Sequence, residues 1–434
     1  MVTVSSAIEL QEALIAKEPV IELTQSISLP TTIQLAKGQS LKASKKGTVF
    51  LSFVDGDGVG LSGDNALINL AIQTAPDKRA IYLNSTEVDL GTIHFDNLTV
   101  TGVVQVLTRG NNKTLNLTID GLDIVSADAR HFTERPMKYG VVVHQGALTV
   151  YNFNPAEDSH ITVTAENVSV GRPMAPVMGS GIFISGFSDE TGRVTIEKLT
   201  TGDVYSNGMI PNGQPNLITG GIFIVYGAYA KEVISNGPVT TYGTNDMVLD
   251  VWGKVDNWIV KDKVTSYGTS GIGFVNFGSV GNFVAEQVVE TFGNGARGFN
   301  QYDGTITEAR FNSIKTHGNG SIGMQFSKPV GKIIIDNNVS TTGSTGETLV
   351  KGVIKNLKAD AISVLEGGEI EELLVNGNLQ TKGDEVVSYH INGGTVKKFI
   401  LKGKLVASGQ NAERVVIENG GQTATDSIKT YLNY

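Results

Sequence analysis

The sequence predicts an all-β protein, a single-stranded right-handed parallel β-helix with about 25 residues in each regular coil, and three observations support this fold class. A tripeptide that ends in glycine recurs through the second half of the chain at steps of 25, 25, 25, 25, 40 and 26 residues. An aliphatic residue stands four positions before each of these glycines. The intervening segments are short and rich in Val, Ile, Thr and aromatic residues, which favour strands over helices.

The glycine-ending tripeptides indicate a structural unit that stacks on its own copies. Their final residues are Gly243, Gly268, Gly293, Gly318, Gly343, Gly383 and Gly409. The aliphatic positions are Val239, Val264, Val289, Ile314, Val339, Leu379 and Leu405. Residues at one phase of a solenoid lie above one another, so a wholly aliphatic column predicts a buried core. The step of 40 predicts one long insertion after Gly343.

The length of the repeat selects the type of solenoid. At roughly 3.3 Å per residue, a coil of this length has a perimeter of about 80 Å, which suits three short strands joined by turns. Leucine-rich repeats have a similar period but need an LxxLxL strand, and that pattern does not recur here. We therefore expect each strand to pair in parallel with its equivalent one coil away.

We expect one elongated domain, because a solenoid grows by adding coils. Residues 1–19 would form an N-terminal cap, 20–220 irregular coils with long loops, 221–410 regular coils, and 411–434 a C-terminal cap. The first cap is predicted as an amphipathic helix between Ser5 and Lys17 that covers the open end of the first coil. Its apolar face would carry Ala7, Ile8, Leu10, Leu14 and Ile15.

The strands predicted after this helix, at residues 20–23, 27–35, 38–41 and 59–72, carry a resemblance to a known family. Over about the first 75 residues the chain resembles proteins of the pectin-lyase-like superfamily, in which a short capping helix precedes strands of this kind. The resemblance implies the β-helix fold. The Asp-Asp pair of polygalacturonases, the clustered Asp pattern of calcium-dependent pectate lyases and nonapeptide calcium repeats are all missing from the sequence. No metal ligands are therefore predicted, although calcium stays open as a cofactor.

Composition excludes several classes of function. The 434 residues carry a formal net charge of -9 and no cysteine, which rules out disulfides, thiolate nucleophiles and cysteine-based zinc sites. The acidic balance disfavours nucleic acid, which needs a clustered basic surface. We see no membrane-spanning stretch and no signal peptide, so the compartment is secreted if a signal was removed and otherwise cytoplasmic. Trimers are an open alternative.

Aligned strands of the regular coils predict a sugar-binding surface. The third aligned position would face inward, and it holds Phe223, Leu249, Phe274, Phe299 and Met324. The fourth and sixth positions would then face outward. The fourth holds Asp250, Asn300 and Gln325, and the sixth holds Tyr226, Trp252, Phe277 and Tyr302. Stacked rings beside amides and a carboxylate suit sugars, whose C–H faces pack on rings while their hydroxyls form hydrogen bonds. A purely structural aromatic ladder is the competing interpretation.

The inward-facing fifth position would hold interior polar groups. We expect an amide ladder of Asn276 and Gln301 and buried, hydrogen-bonded histidines at His144 and His390. This assignment treats residues 140–145, 181–186 and 221–226 as equivalent strands, and it places Ala361 and Val386 in register with Ile322.

Catalysis would need charged groups near the outward face. A glycosidase uses two acids roughly 5 to 10 Å apart, and Asp250 and Asp303 would supply them. Arg297 would orient the substrate. The function predicted is a polysaccharide hydrolase or lyase acting on a glycan. The alternative is a non-catalytic protein that binds a glycan or a protein partner, and the sequence leaves open whether the chain is an enzyme.

Overall fold

The fold is all-β, with long parallel sheets and one short α-helix near the N-terminus. A computed structural model describes residues 1–211, 213–214, 216–350 and 353–432. The α-helix is Ala7–Ile15, and a 3-10 turn at Lys429–Tyr431 lies in the predicted C-terminal cap, whose Ile428 is fully buried. Residues 433 and 434 of that predicted cap lie outside the described residues.

The chain divides into two compact units, each defined by the contacts among its own residues. The first unit comprises Met1–Pro136, His144–Ser206 and Phe223–Val233. The second comprises Met137–Val143, Asn207–Ile222 and Ile234–Tyr434. The boundaries fall within or beside strands Arg193–Asn207, Leu217–Ile224 and Ala228–Ser235.

The first unit contains strands of two parallel sheets. Those of one sheet are Val2–Val4, Val20–Leu23, Ile27–Leu29, Ser40–Ala43, Phe50–Phe53, Ala66–Ile68, Ala71–Gln73, Asp89–Thr101, Thr114–Ser126, His160–Val170, Val177–Met178, Arg193–Asn207 and Ala228–Ser235. Those of the other are Ile33–Gln34, Val59–Leu61, Arg79–Leu83, Val103–Thr108, Gly146–Asn152 and Ser180–Ser185.

The second unit repeats this arrangement with more regular spacing. Strands of one sheet are Val239–Thr241, Lys254–Val260, Val264–Ser266, Ser279–Thr291, Thr305–Thr316, Pro329–Ile335, Val339–Thr341, Glu369–Val375, Leu379–Thr381, Thr395–Leu401, Leu405–Ala407 and Gln422–Thr423. Those of the other are Asp246–Val251, Ile272–Asn276, Arg297–Gln301, Ile322–Phe326, Ile362–Leu365, Val387–Asn392 and Glu413–Glu418. The insertion predicted after Gly343 folds as a hairpin of Gly346–Val350 and Val353–Leu357. Met137–Lys138 pairs antiparallel with Val141–Val143, and Val142 lies opposite Leu217.

The aliphatic column is confirmed residue by residue. Its seven members, from Val239 to Leu405, are successive Cα partners in parallel pairs and are almost completely buried. The inward third position is also confirmed, because Leu249, Phe274, Phe299 and Met324 pair in order and have no exposed surface. Each repeat therefore adds one layer to a continuous apolar core.

The recurring glycines are required because neighbouring repeats approach very closely at the turn. A Cβ atom built on Gly383 would collide with the carbonyl group of Gly343, and Gly293 meets the carbonyl of Gly268 in the same way. Any larger residue would force the stacked turns apart. The glycine is thus set by backbone contact between repeats.

Two register assignments from the sequence are wrong. Ile362 pairs with Met324, and Tyr389 pairs with Ile362, so the predicted alignment is off by one residue and then by two. The true register turns the apolar Ile362 and Tyr389 toward the core, where the predicted register would have placed Ser363 and Ser388. His390 consequently moves to the position of Gln325 and Ser363.

The third error concerns residues 140–145. The strand that pairs with Ser180–Ser185 is Gly146–Asn152, with Leu148 opposite Ile182. Leu148 and Val150 are the residues of this region that fill the core at that layer. His144 therefore does not occupy the predicted fifth position.

The N-terminal helix is confirmed, but its buried face is narrower than predicted. Ser6 caps it by accepting a hydrogen bond from the Glu9 N–H, and the Glu9 carboxylate accepts one in return from the Ser5 N–H. The helix packs on strands Val2–Val4 and Ile27–Leu29. Leu10 and Ala13 are its buried residues. Ile8 and Ile15 are exposed, because the single contact stripe of so short a helix faces only one of its sides.

We expect Gly383→Ala to destabilise the protein, because the new methyl group overlaps the backbone of the preceding repeat. Overpacking of this kind costs about 1 to 3 kcal/mol. Urea unfolding of the variant and of Lys382→Ala, an exposed neighbour in the same tripeptide, measures the difference. Equal free energies of unfolding for the two variants would contradict the close approach of the turns.

Candidate functional site

The second unit encloses a cavity of about 290 Å³, which we call the second-unit cavity. Three aromatic side chains border it, Tyr139, Phe277 and Tyr302. Three charged side chains also line it, Arg297, Asp303 and Lys328. The remaining lining is mostly aliphatic, with Val141, Ile218, Met247, Ile272 and Val275 as its apolar members. The cavity therefore combines an apolar wall with a few convergent polar groups, the usual composition of a small-molecule site.

Two layers of the second unit build this cavity. Its floor is the sheet that contains Asp246–Val251, Ile272–Asn276 and Arg297–Gln301, in which Met247, Ile272 and Arg297 are successive partners. Its cover comes from the short strands at Val141–Val143 and Leu217 onward, which contribute Val141 and Ile218. The outward face of the sheet is consequently covered at this point.

The aromatic residues of the cavity form a compact stack. Phe277 and Tyr302 lie 5.0 Å apart between ring centroids and are inclined by only 3°. Tyr139 packs on Phe277 at 4.6 Å, and its hydroxyl group donates a hydrogen bond of 3.3 Å to the Phe277 carbonyl oxygen. Trp252 meets the Tyr139 ring edge to face at 5.3 Å. The repeated ladder ends at Tyr302, because Ser327 holds the equivalent position in the next repeat.

Arg297 is the most unusual charged group of the cavity. Its side chain is 1% exposed, in a column otherwise occupied by Met247, Ile272 and Ile322. Nε donates to Gln325 Oε1 at 3.1 Å, and Nη1 donates to the Gly295 carbonyl oxygen at 3.5 Å. Nη2 has no hydrogen-bond partner in the described part of the chain. A buried guanidinium is thus held by neutral acceptors alone.

Asp250 and Asn300 are buried polar groups in the next column of the same sheet. They flank Val275 in successive strands, which places their Cα atoms about 10 Å apart. Neither side chain has a hydrogen-bond partner of good geometry among the described residues. Burial raises the pKa of Asp250 well above its usual range, although the Val251 backbone and the Trp252 indole act in the opposite direction.

The structure brings only some of the predicted site residues together. Arg297, Asp303, Phe277 and Tyr302 line one cavity. Asp250, Trp252, Asn300 and Gln325 are outside the lining and are buried, and Tyr226 belongs to the first unit. The prediction that the fourth and sixth positions form an open surface is wrong for the fourth position and for Trp252, which are buried. Strict alternation breaks near Gly273 and Gly298, so Ile272 and Arg297 line the same cavity as Phe277. Segments from residues 137–143 and 217–218 cover part of this face, which leaves Phe277 and Tyr302 partly exposed.

Asp246 has a structural role at the edge of the cavity sheet. Its carboxylate accepts hydrogen bonds from Thr219 Oγ1 at 2.6 Å and from the Gly243 N–H at 2.7 Å, and the Gly208 N–H donates to both oxygens. Complete burial outweighs these hydrogen bonds and raises the pKa of Asp246 to about 6. The Asp246 side chain thus connects the loop at Gly208 to Gly243, the glycine of the first repeating tripeptide.

The interior polar predictions are confirmed in part. Asn276 Nδ2 donates to Gln301 Oε1 at 3.2 Å, as expected of an amide ladder. His390 is buried and hydrogen-bonded, with Nδ1 2.7 Å from Asp360 Oδ2 and Nε2 3.0 Å from Glu418 Oε1. Burial lowers the pKa of His390, but Asp360 and Glu418 outweigh it and raise that pKa overall. His390 thus bridges two acidic side chains that belong to different repeats.

His144 differs from the expectation, because its Nδ1 has no partner among the described residues. Burial and the nearby charges of Arg135 and Arg130 lower the pKa of His144 to about 4. The ring is therefore neutral at physiological pH.

A second aromatic ladder lies at the turns and was missed by sequence reasoning. The middle residues of four repeating tripeptides, Tyr242, Tyr267, Phe292 and His317, stack at 5.3, 5.0 and 4.7 Å within 12° of parallel. Tyr267 and Phe292 are 49% and 40% exposed. The signal for it is the aromatic middle position of successive tripeptides.

The first unit carries a larger polar groove of about 730 Å³. Its charged lining is balanced in sign, with Asp57, Asp77, Glu134, Lys78, Arg79 and Arg109. Arg79 Nε donates to Asp57 Oδ2 at 3.0 Å while its guanidinium lies 4.3 Å from the Tyr82 ring centre. Arg109 Nη2 lies 2.8 Å from Glu134 Oε1. These residues are scattered over residues 56–134, so no sequence motif marks the groove.

The chain was compared with known protein families, curated proteins and solved structures, and none of them matches. In the described ranges, no helix is long and apolar enough to cross a membrane. Within the same residues, no group of three His, Asp or Glu side chains is suited to hold a metal ion. The geometry of the second-unit cavity is therefore the basis for a functional proposal.

We expect Asp250→Val to stabilise the protein at pH 8, because Val275 occupies the equivalent position one repeat later. The unfolded carboxyl group ionises near pH 4, whereas the buried one resists ionisation. Its penalty is therefore absent below about pH 4, grows as pH rises from there to the raised pKa of the folded state, and is constant above that pKa. Urea unfolding should show a gain above about 1 kcal/mol at pH 8 and a smaller one at pH 5.

Glu286→Gln, at an exposed position of the same unit, serves as the control and should change neither value. Loss of stability in Asp250→Val at both pH values would show that the carboxylate has native partners.

Proposed function

We propose that this chain is a carbohydrate-active protein that binds one sugar residue of a glycan in the second-unit cavity. The observation that carries the proposal is that an aromatic stack and three charged side chains line one partly open cavity. Sugar rings present C–H faces that pack on aromatic rings, and their hydroxyl groups need directional hydrogen-bond partners. Tyr302, whose ring is backed by Phe277, offers the first, and Arg297, Asp303 and Lys328 offer the second.

The architecture favours this class of ligand as well. We infer that the parallel sheets close into a right-handed β-helix of the pectin-lyase-like kind, in which each coil adds a rung to a rigid scaffold. Side chains on successive rungs are spaced by about 4.8 Å, so a cavity that spans several rungs holds its groups in fixed positions. Rigid positioning lowers the entropy that a binding site loses when it captures a flexible glycan.

Glycan binding is better supported than a hydrolysis reaction in which Asp250 and Asp303 act as the catalytic pair. A glycosidase needs both carboxyl groups at the scissile bond. Asp303 lines the cavity, whereas Asp250 is fully buried and outside its lining. Hydrolase or lyase activity through Asp303 and Arg297 is the enzymatic form of the proposal, and non-catalytic glycan recognition is the simpler form.

A glycan array followed by calorimetry on the tightest ligand tests the binding proposal. We expect Tyr302→Ala and Phe277→Ala each to weaken binding at least tenfold, because aromatic anchors of binding sites contribute about 2 kcal/mol or more. Tyr267→Ala removes an aromatic side chain of the same unit that does not line the cavity and should leave affinity unchanged. Absence of any glycan ligand, or equal losses in all three variants, would contradict the proposal.

A reducing-end assay on the same ligand separates catalysis from binding. If the chain is an enzyme, we expect Asp303→Asn to abolish turnover with little change in affinity, because it removes a proton-transfer group and keeps the shape of the side chain. Turnover that survives Asp303→Asn would exclude Asp303 as the acid or base. Binding without turnover in the unmodified protein assigns the non-catalytic form.

A further inference from the structure

Arg297 occupies a position where the fold itself favours an aliphatic residue. Its partners in the neighbouring strands are Ile272 and Ile322, and Met247 precedes them in the same column. An isoleucine at 297 would continue this column and bury only apolar atoms. A guanidinium instead loses its hydration on folding, and that loss is large for an ion.

Among the described residues, no acidic side chain pairs with the Arg297 guanidinium. No carboxylate of the described chain lies within 4.0 Å of the guanidinium in an ion pair, and the two hydrogen bonds of Arg297 go to the neutral oxygens of Gln325 and Gly295. Nη2 has no hydrogen-bond acceptor among the described residues, although only 1% of the residue is exposed. An unsatisfied, buried, charged donor in a native structure calls for an explanation.

Because Arg297 lines the second-unit cavity, a ligand can supply what the protein lacks. We propose that the cavity binds its ligand through an oxyanion group, a carboxylate or a sulfate or phosphate ester, that pairs with the Arg297 guanidinium. This inference names the chemical class of the glycan residue and in that respect rests on the proposed function.

The other lining groups fit an anion of limited charge. Lys328 adds a second cation at the exposed side of the cavity, and Asp303 adds one negative charge. The three charges leave a net positive lining, so a monoanion restores neutrality. Charge-assisted hydrogen bonds of an arginine to an oxyanion are about twice as strong as neutral ones, and more so where water is excluded.

The size of the cavity limits what surrounds the anion. Its volume of about 290 Å³ is at the lower end of the range of roughly 300 to 1,000 Å³ found for small-ligand sites. The aromatic wall of Phe277 and Tyr302 suits a ring next to the anionic group. A single acidic sugar residue satisfies both requirements.

Calorimetry with four probes tests the inference: glucose, glucuronic acid, glucose 6-sulfate and sodium sulfate, all at one ionic strength. We expect the two acidic sugars to bind at least tenfold more tightly than glucose, and we expect Arg297→Gln to abolish that preference. Arg297→Lys keeps the charge and should retain part of it. The carboxylate and sulfate arms identify which oxyanion the cavity prefers.

Thermal unfolding supplies a readout that does not depend on the sugar. Sulfate or glucuronate should raise the melting temperature of the unmodified protein, because a ligand that binds only the native state stabilises it. Arg297→Ile should fold, since it continues the aliphatic column, and should show no anion-dependent shift. A folded Arg297→Ile protein without an anion-dependent shift shows that the anion site is lost while the fold is kept.

The outcomes separate this inference from the proposed function. Equal binding of glucose and the acidic sugars overturns the anion site while leaving glycan recognition intact. Binding of sulfate that Arg297→Ile abolishes, with no affinity for any sugar, supports the anion site and overturns glycan recognition. Absence of anion binding in both calorimetry and thermal unfolding overturns the inference outright.

Discussion

Backbone hydrogen bonding between successive repeats is the constraint on which the rest of this structure depends. Each strand pairs in parallel and in register with its equivalent in the next repeat, so side chains at one phase form a column. The column inside the sheet must be apolar, and the turn must be glycine because the stacked backbones nearly touch. One periodic contact thus determines both the core and the turns.

The same constraint determines where functional groups can lie. A column that faces away from the core is free to vary from repeat to repeat, and the second unit uses this freedom at Arg297 and Asp250, which stand among aliphatic neighbours. Covering segments then exclude water from these side chains. Burial without a charged partner is costly for both, and an anionic ligand in the second-unit cavity would offset that cost at Arg297, which lines it.

The fold was largely predictable because the sequence repeats with the same period as the structure. The aliphatic column from Val239 to Leu405 and the inward Phe274 and Phe299 needed only counting. The predicted register failed after the hairpin at 346–357, because an insertion interrupts the repeat and the spacing of glycines no longer fixes the alignment. The pairing of Ile362 with Met324 is seen only in the structure.

Four of the nine residues predicted for the site line the second-unit cavity, but its cover was not predictable. Arg297, Asp303, Phe277 and Tyr302 were found from strand alignment, since neighbours in a column are neighbours in space. Their cover comes from Tyr139 and Ile218, which are distant in sequence and have no periodic pattern. The groove of the first unit was missed for the same reason, because its charged residues lie in unrelated segments.

Disulfide trapping between neighbouring repeats tests the in-register stacking most directly, because the chain contains no cysteine of its own. Glu290 and Lys315 are Cα partners in parallel strands, which places their Cα atoms about 4.8 Å apart, within the range of a disulfide. We expect Glu290→Cys with Lys315→Cys to crosslink on mild oxidation, and Glu290→Cys with Ser313→Cys, two residues out of register, to stay reduced. Crosslinking of the second pair in preference to the first would contradict the register and every column inferred from it.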